Sequence, residues 1–146
     1  VEKWGGDLYH ISVVYVANTL TAFILMNIMA SKIQLSNITK FKIGIGCTTF
    51  VFVGLSFVTE WWMAMPFMSL VGATWAFLFI GGNFHLMENN PRSTSTGIFS
   101  STLSIATVIG PIIAGSIAFM FDYIAVMYFA IAIIVCAFIV SLKIKK

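Results

Sequence analysis

Charge is what this sequence has least of. Only 9% of its 146 residues are Asp, Glu, Lys or Arg, whereas 60% are hydrophobic, and the mean hydropathy is +1.00. A water-soluble domain usually carries about 25% charged residues, because its surface has to be polar. The composition therefore excludes an ordinary soluble domain and indicates a chain whose solvent is the lipid bilayer.

Cysteine and histidine are also scarce, which excludes several kinds of site. Cys47 and Cys136 lie in separate apolar runs without metal-ligand or redox spacing, so they are expected to be small buried hydrophobic residues. His85 and Glu88 stand at i and i+3 without a second His or carboxylate nearby, which favours interfacial polar residues over metal ligands. The Lys residues lie at helix ends, which does not favour nucleic-acid binding. We expect no metal, no cofactor and no nucleic-acid partner.

Five apolar segments predict an all-α integral membrane protein in one membrane domain. A helix rises 1.5 Å per residue, so about 20 apolar residues cross a bilayer core of roughly 30 Å. A polar loop is predicted at Lys32–Lys42, and a tight turn at Phe121-Asp122 in which Asp122 caps the last helix. The predicted spans are residues 8–31, 43–59, 63–86, 95–120 and 123–142.

The basic residues predict the orientation of these spans. The predicted loop at 32–42 has three Lys, the link after the third span has Arg92, and the C-terminal tail has three Lys. Five spans place all of these on one side and leave only Lys3 on the other. By the positive-inside rule the N-terminus is outside and the C-terminus is cytoplasmic, as in a multi-pass protein of the plasma membrane.

The stretch Asn89–Gly115 is the most unusual part of the chain, and we expect the other helices to be organised around it. On a helix it places small and hydroxyl side chains on one face and Ile and Phe side chains on the other. Hydroxyls are not left facing acyl chains, so this face should pack against other helices or line a wet cavity. Packing or hinge roles are predicted for Gly97, Gly110, Pro111 and Gly115, with Gly110-Pro111 bending the helix.

The first and third predicted spans each carry a polar face, whereas the second and fifth are almost uniformly apolar and should face lipid. Two of these residues also have a simpler interpretation: Asn18 can form a hydrogen bond between helices, and Trp75 can serve only to pack helices together. With this alternative open, the residues predicted to line a solute pathway are Tyr15, Asn18, Thr19, Trp75, Asn83, Ser101 and Ser104.

Three local features resemble helices eight to twelve of a major facilitator superfamily transporter. The basic loop at 32–42 stands where that family has a short cytoplasmic loop, although Asn27 replaces its first Gly and its Asp is absent. Pro91-Arg92 before Ser95-Thr96-Gly97-Ile98 is similar to the link between helices ten and eleven. Gly110–Gly115, followed by Asp122, resembles the eleventh helix and its outer turn.

This resemblance implies a function. The family has twelve helices in two halves that alternate access to a midplane site. The first, third and fourth spans would match its cavity-lining helices eight, ten and eleven, and the second and fifth its peripheral helices nine and twelve. The chain would then transport a solute together with an N-terminal half that this sequence lacks. The apolar, aromatic and Met-rich pathway favours a small amphipathic or hydrophobic solute. No charged residue lies mid-span, so a proton-coupling carboxylate would lie in that other half.

Two other classes of function stay open. The chain can be a structural or assembly subunit of a membrane complex, or a non-functional remnant of a transporter, because five helices lack half of a cavity. A membrane enzyme would need a nucleophile and base or a metal cluster at membrane depth. His10 and His85, the two histidines, are expected near opposite membrane faces, so we expect no enzyme.

The odd number of spans, the outside N-terminus and the absence of a signal sequence predict the C-terminal part of a longer protein. Sequencing the DNA upstream of the Val1 codon should show an open frame that encodes about seven further apolar spans. A stop codon and a genuine start signal beside that codon would contradict this prediction.

Overall fold

The computed structural model describes residues 5–31, 34–88 and 90–143, and this part of the chain is helical without strands. Lys3, Lys32, Asn89, Lys145 and Lys146, which entered the predictions above, lie outside it. A 3-10 turn, Trp61–Met63, precedes the third helix. The long helices are α1 (Leu8–Ser31), α2 (Asn37–Leu55), α3 (Ala64–Met87), α4 (Arg92–Met120) and α5 (Tyr123–Lys143).

All five helices are long and apolar enough to cross a membrane, which confirms the predicted all-helical architecture. The second helix differs from its prediction, because α2 begins at Asn37 and not at Ile43. The cause is Ser36, whose side-chain oxygen accepts a hydrogen bond from the Thr39 amide at 3.3 Å. The predicted loop is therefore shorter, and Lys40 lies on the helix, only 6% exposed.

The centre of the bundle is α3, not α4. The most extensive helix contacts are those of α3 with α1 on one side and with α2 on another, while α5 packs on α2. The fourth helix makes much smaller contacts with α3 and α5. The expectation that the chain is organised around α4 is thus not met within the described residues.

Glycine explains why α3 is central. The position where a Cβ of Gly72 would stand is taken by the backbone carbonyl oxygen of Asn18 in α1. On another face, the corresponding position of Gly81 lies 2.5 Å from the Phe41 amide nitrogen of α2. Two neighbouring helices therefore approach α3 backbone to backbone, as small residues allow in membrane proteins.

Burial also corrects the expected role of α2. A third of its membrane-length segment (33%) is buried within the described residues, whereas none of the α4 segment is. Gly44 lets α2 approach α3, since its Cβ position lies 3.0 Å from the Leu78 amide nitrogen, and Gly46 on another face meets Phe138 of α5. The interpretation of α2 as a peripheral, lipid-facing helix is wrong here, because its glycines place it between two neighbours.

Replacing Gly72 by Ala should destabilise the bundle by about 1–3 kcal/mol, because the new methyl group meets backbone that cannot move like a side chain. Gly115→Ala is the matched control, since no atom lies within 4 Å of its Cβ position. That change should be neutral or stabilise by up to about 1 kcal/mol through helix propensity. Unfolding in mixed micelles, followed by circular dichroism, measures both, and equal effects would contradict the packing described here.

Candidate solute pathway

The third helix carries two of the predicted pathway residues on one ridge. Trp75, Phe79 and Asn83 follow one another at intervals of four residues, over about 12 Å of helix. The ring centroids of Trp75 and Phe79 are 6.2 Å apart, and Phe79 meets Phe99 of α4 edge to face at 5.4 Å. The structure therefore joins Trp75 to an aromatic contact between α3 and α4, and the helical spacing places Asn83 on the same ridge.

Asn83 is distinctive within this group. Its Oδ1 is buried and has no hydrogen-bond partner among the described residues. Other polar side chains of the helices satisfy themselves locally, as Thr74 does by donating to the Val71 carbonyl at 2.8 Å. A buried acceptor without a partner is uncommon in proteins and calls for a reason.

The three pathway residues predicted on α1 have different surroundings. Asn18 is half-buried where α1 meets α3, and its contact there with Gly72 is made by its backbone carbonyl. Tyr15 is 65% exposed, and Thr19 is exposed and donates its hydroxyl to the Tyr15 carbonyl at 3.0 Å. Tyr15 and Thr19 thus flank the α1–α3 contact and are available to a further partner.

On α4 the predicted pathway serines are open. Ser101 and Ser104 are exposed and their hydroxyls make no hydrogen bond within the described residues. By contrast, Thr102 on another side of α4 donates to the Ile98 carbonyl at 2.9 Å. The small and hydroxyl-rich face of α4 therefore carries hydroxyls that can form hydrogen bonds to another molecule.

The three glycines of α4 that were predicted to pack or bend the helix meet no neighbour in this part of the chain. Apart from the backbone of α4 itself, no atom of the described residues lies within 4 Å of the Cβ positions of Gly97, Gly110 and Gly115. Pro111 lies inside the helix, which continues to Met120. Their roles stay predictions that concern a neighbour beyond the described residues.

The start of α4 is held by a contact that local sequence patterns do not reveal. The Ser95 side chain is 1% exposed and donates to the Leu86 carbonyl at the end of α3, at 3.0 Å. The side-chain Nδ2 of Asn90 donates to the same carbonyl at 3.1 Å. These bonds and the Phe79–Phe99 contact place the first turns of α4 against α3.

A polar cluster joins α2 to the same end of α3. One carboxylate oxygen of Glu88 accepts a hydrogen bond from the side-chain Nδ2 of Asn37 at 2.9 Å, and the other oxygen lies 2.9 Å from His85 Nδ1. These bonds, first that of Asn37 and then that of His85, hold the pKa of the Glu88 carboxyl below its ordinary value of 4.5. The sequence paired His85 with Glu88 but missed Asn37, which is 51 residues from Glu88.

The opposite end of α3 has a second such pair. Asp7 caps α1 by accepting the His10 amide at 3.0 Å, and this bond leads the causes that lower the pKa of its carboxyl. The His10 ring stands 4.0 Å from that of Trp61, at the turn before α3. The two histidines thus lie at opposite ends of α3. No group of three metal-ligating side chains occurs among the described residues.

The chain matches no protein-family model, no curated protein and no solved structure. Its resemblance to major facilitator transporters therefore depends on its motifs, their order and the predicted topology.

The Glu88 cluster should make stability depend on pH. Because the pKa of Glu88 is lowered by folding, its contribution is present above 4.5 and is lost as the pH falls through the folded-state value. Melting temperatures of the wild type and Glu88→Gln should therefore differ near pH 6 and converge in acid.

Asp7 titrates equally in both proteins, so its effect cancels in this comparison. Glu60→Gln is the control, since Glu60 is an exposed carboxylate before the 3-10 turn. A pH-independent difference between wild type and Glu88→Gln would contradict the role assigned to the ionised carboxylate.

Proposed function

We propose that this chain is part of a secondary transporter of the major facilitator type and moves a small amphipathic or hydrophobic solute by alternating access. It would supply helices eight to twelve, and an N-terminal half would supply the other side of the cavity. In the plasma membrane, the N-terminus would lie outside the cell and the C-terminus in the cytoplasm.

The open face of α4 is the observation from which the proposal starts. This helix has 29 residues, a length that spans a bilayer, and none of its membrane-length segment is buried. Its free hydroxyls, at Ser101 and Ser104, would be costly against acyl chains, where no donor or acceptor answers them. A water-filled cavity between two halves of a transporter supplies the polar surroundings that this face requires.

The ridge on α3 supports the same assignment. Trp75 is 42% exposed in the middle of α3, far from the interfacial belts where Trp is usually found in membrane proteins. Phe79 lies one turn further along the helix, and Asn83, a half-buried residue, one turn beyond that. An aromatic surface with one polar group suits a solute that is mostly apolar, and α3 carries no Lys or Arg that would attract an anionic one.

A second candidate is a structural or assembly subunit of a membrane complex. The same open face of α4 favours it, because three glycines without neighbours permit close approach of another helix. Self-association or complex formation without solute transport would distinguish this function from the first.

Alanine should be placed singly at the seven predicted pathway residues: Tyr15, Asn18, Thr19, Trp75, Asn83, Ser101 and Ser104. Replacement of residues that touch the solute should lower its uptake by vesicles at least severalfold, without lowering the amount of protein in the membrane. Ile133→Ala on α5, which removes a 53% exposed apolar side chain, is the control. Unchanged uptake in all seven variants would contradict the pathway.

A further inference from the structure

Asn83 has an acceptor that its own helix cannot satisfy. A buried hydroxyl can form a hydrogen bond within its own helix, because its O–H donates to a carbonyl one turn earlier, as Ser141 does to Phe138 at 2.7 Å. An amide oxygen needs a donor instead, and the amide hydrogens inside a helix are already bonded to carbonyls. The donor for Asn83 Oδ1 must therefore come from outside α3.

The surroundings of Asn83 restrict what that donor can belong to. Two turns before it stands the exposed indole of Trp75, and between them Phe79 meets Phe99. Aromatic faces carry negative potential, as does an amide oxygen, so the whole ridge favours the positive end of a ligand. It offers no cation to a carboxylate or phosphate.

We propose that the ridge of Trp75, Phe79 and Asn83, with Phe99, binds an amphipathic amine in its protonated form. The aromatic side chains receive the apolar body, and Asn83 Oδ1 accepts a hydrogen bond from the ammonium group. This inference rests on the proposed transport function and names the chemical class of its solute. The ridge spans about 12 Å, so it suits an amine joined to an aromatic body by a short chain.

The Asn83 side chain can present this oxygen to a ligand. Its residue is half-buried, and the terminal torsion of Asn is soft, so the amide can rotate. After rotation, Nδ2 can donate to the Phe79 carbonyl, as Asn27 Nδ2 donates to the Phe23 carbonyl at 2.8 Å. This rotation would take Oδ1 out of the buried position that it has in the structure and turn it toward a ligand on the ridge.

The test compares three probes of one shape on the purified chain in lipid nanodiscs. They are 4-phenylbutylammonium, its N,N,N-trimethyl analogue, which has no N–H donor, and the anion 4-phenylbutanoate. Calorimetric titration gives each dissociation constant after subtraction of partitioning into empty nanodiscs. The primary ammonium should bind at least ten times more tightly than the anion.

Variants then assign the contacts. Asn83→Leu should weaken binding of the primary ammonium about tenfold, the effect of losing one hydrogen bond to a charged group, and change the trimethyl analogue less than threefold. Asn83→Asp keeps acceptor oxygens and should bind the primary ammonium at least as tightly as the wild type. Trp75→Leu should weaken both cations, and Asn27→Leu, which removes an amide from α1, should weaken neither.

An Asn83→Leu protein that binds the primary ammonium within twofold of the wild type would overturn the inference, as would equal binding of cation and anion. If that variant does not fold, loss of ammonium binding in folded Asn83→Asp would also overturn it. Should a helix of another subunit satisfy Asn83, Asn83→Leu would weaken assembly and leave ammonium binding intact. Ammonium binding without uptake contradicts the transport function alone, and uptake of other solutes without ammonium binding contradicts this site alone.

Discussion

The close approach of backbones at glycine is the constraint on which the rest of this structure depends. In a bilayer, helices gain nothing by hiding apolar side chains from water, so contact area and short interaxial distance decide which helices associate. Gly72 and Gly81 lie on different faces of α3 and admit α1 and α2 respectively. With α1 and α2 on these two faces, the third side of α3, which carries Trp75 and Phe79, faces α4 and the proposed solute pathway.

Polar side chains fix the ends of this arrangement, and apolar packing fills its middle. At one end Glu88 joins Asn37 of α2 to His85 of α3, and Ser95 attaches the start of α4 to Leu86. Between the ends, Met29, Ala76 and Ile80 form a buried cluster of α1 and α3. The distribution suits a membrane protein, since water and headgroups satisfy polar groups at the ends whereas the interior must satisfy its own.

The fourth helix packs far less extensively than the first three helices do. It is attached through its first turns and through its contact with α5, while its hydroxyl-bearing face meets no neighbour in the described residues. Exposed hydroxyls on a helix of membrane length require a partner or a wet cavity, and this requirement supports the proposed transporter and its alternative equally. The ridge on α3 favours the transporter. The unsatisfied Asn83 Oδ1, on the same ridge as aromatic rings, suits the binding of a ligand more than close packing of helices.

The sequence by itself determined the five long apolar helices and most of their limits, because hydropathy over a bilayer's thickness is a local property. It also indicated Trp75 in the middle of α3 and Asn83 near its end as pathway residues, a role that stays a prediction. It misplaced the start of α2, where the cap at Ser36 outweighed the polarity of the following turns. Only the tertiary structure decided that α3 is central, that α2 lies between α3 and α5 and that Asn37 meets Glu88. Those results depend on which glycine lies opposite which backbone, and residues far apart in the chain determine that together.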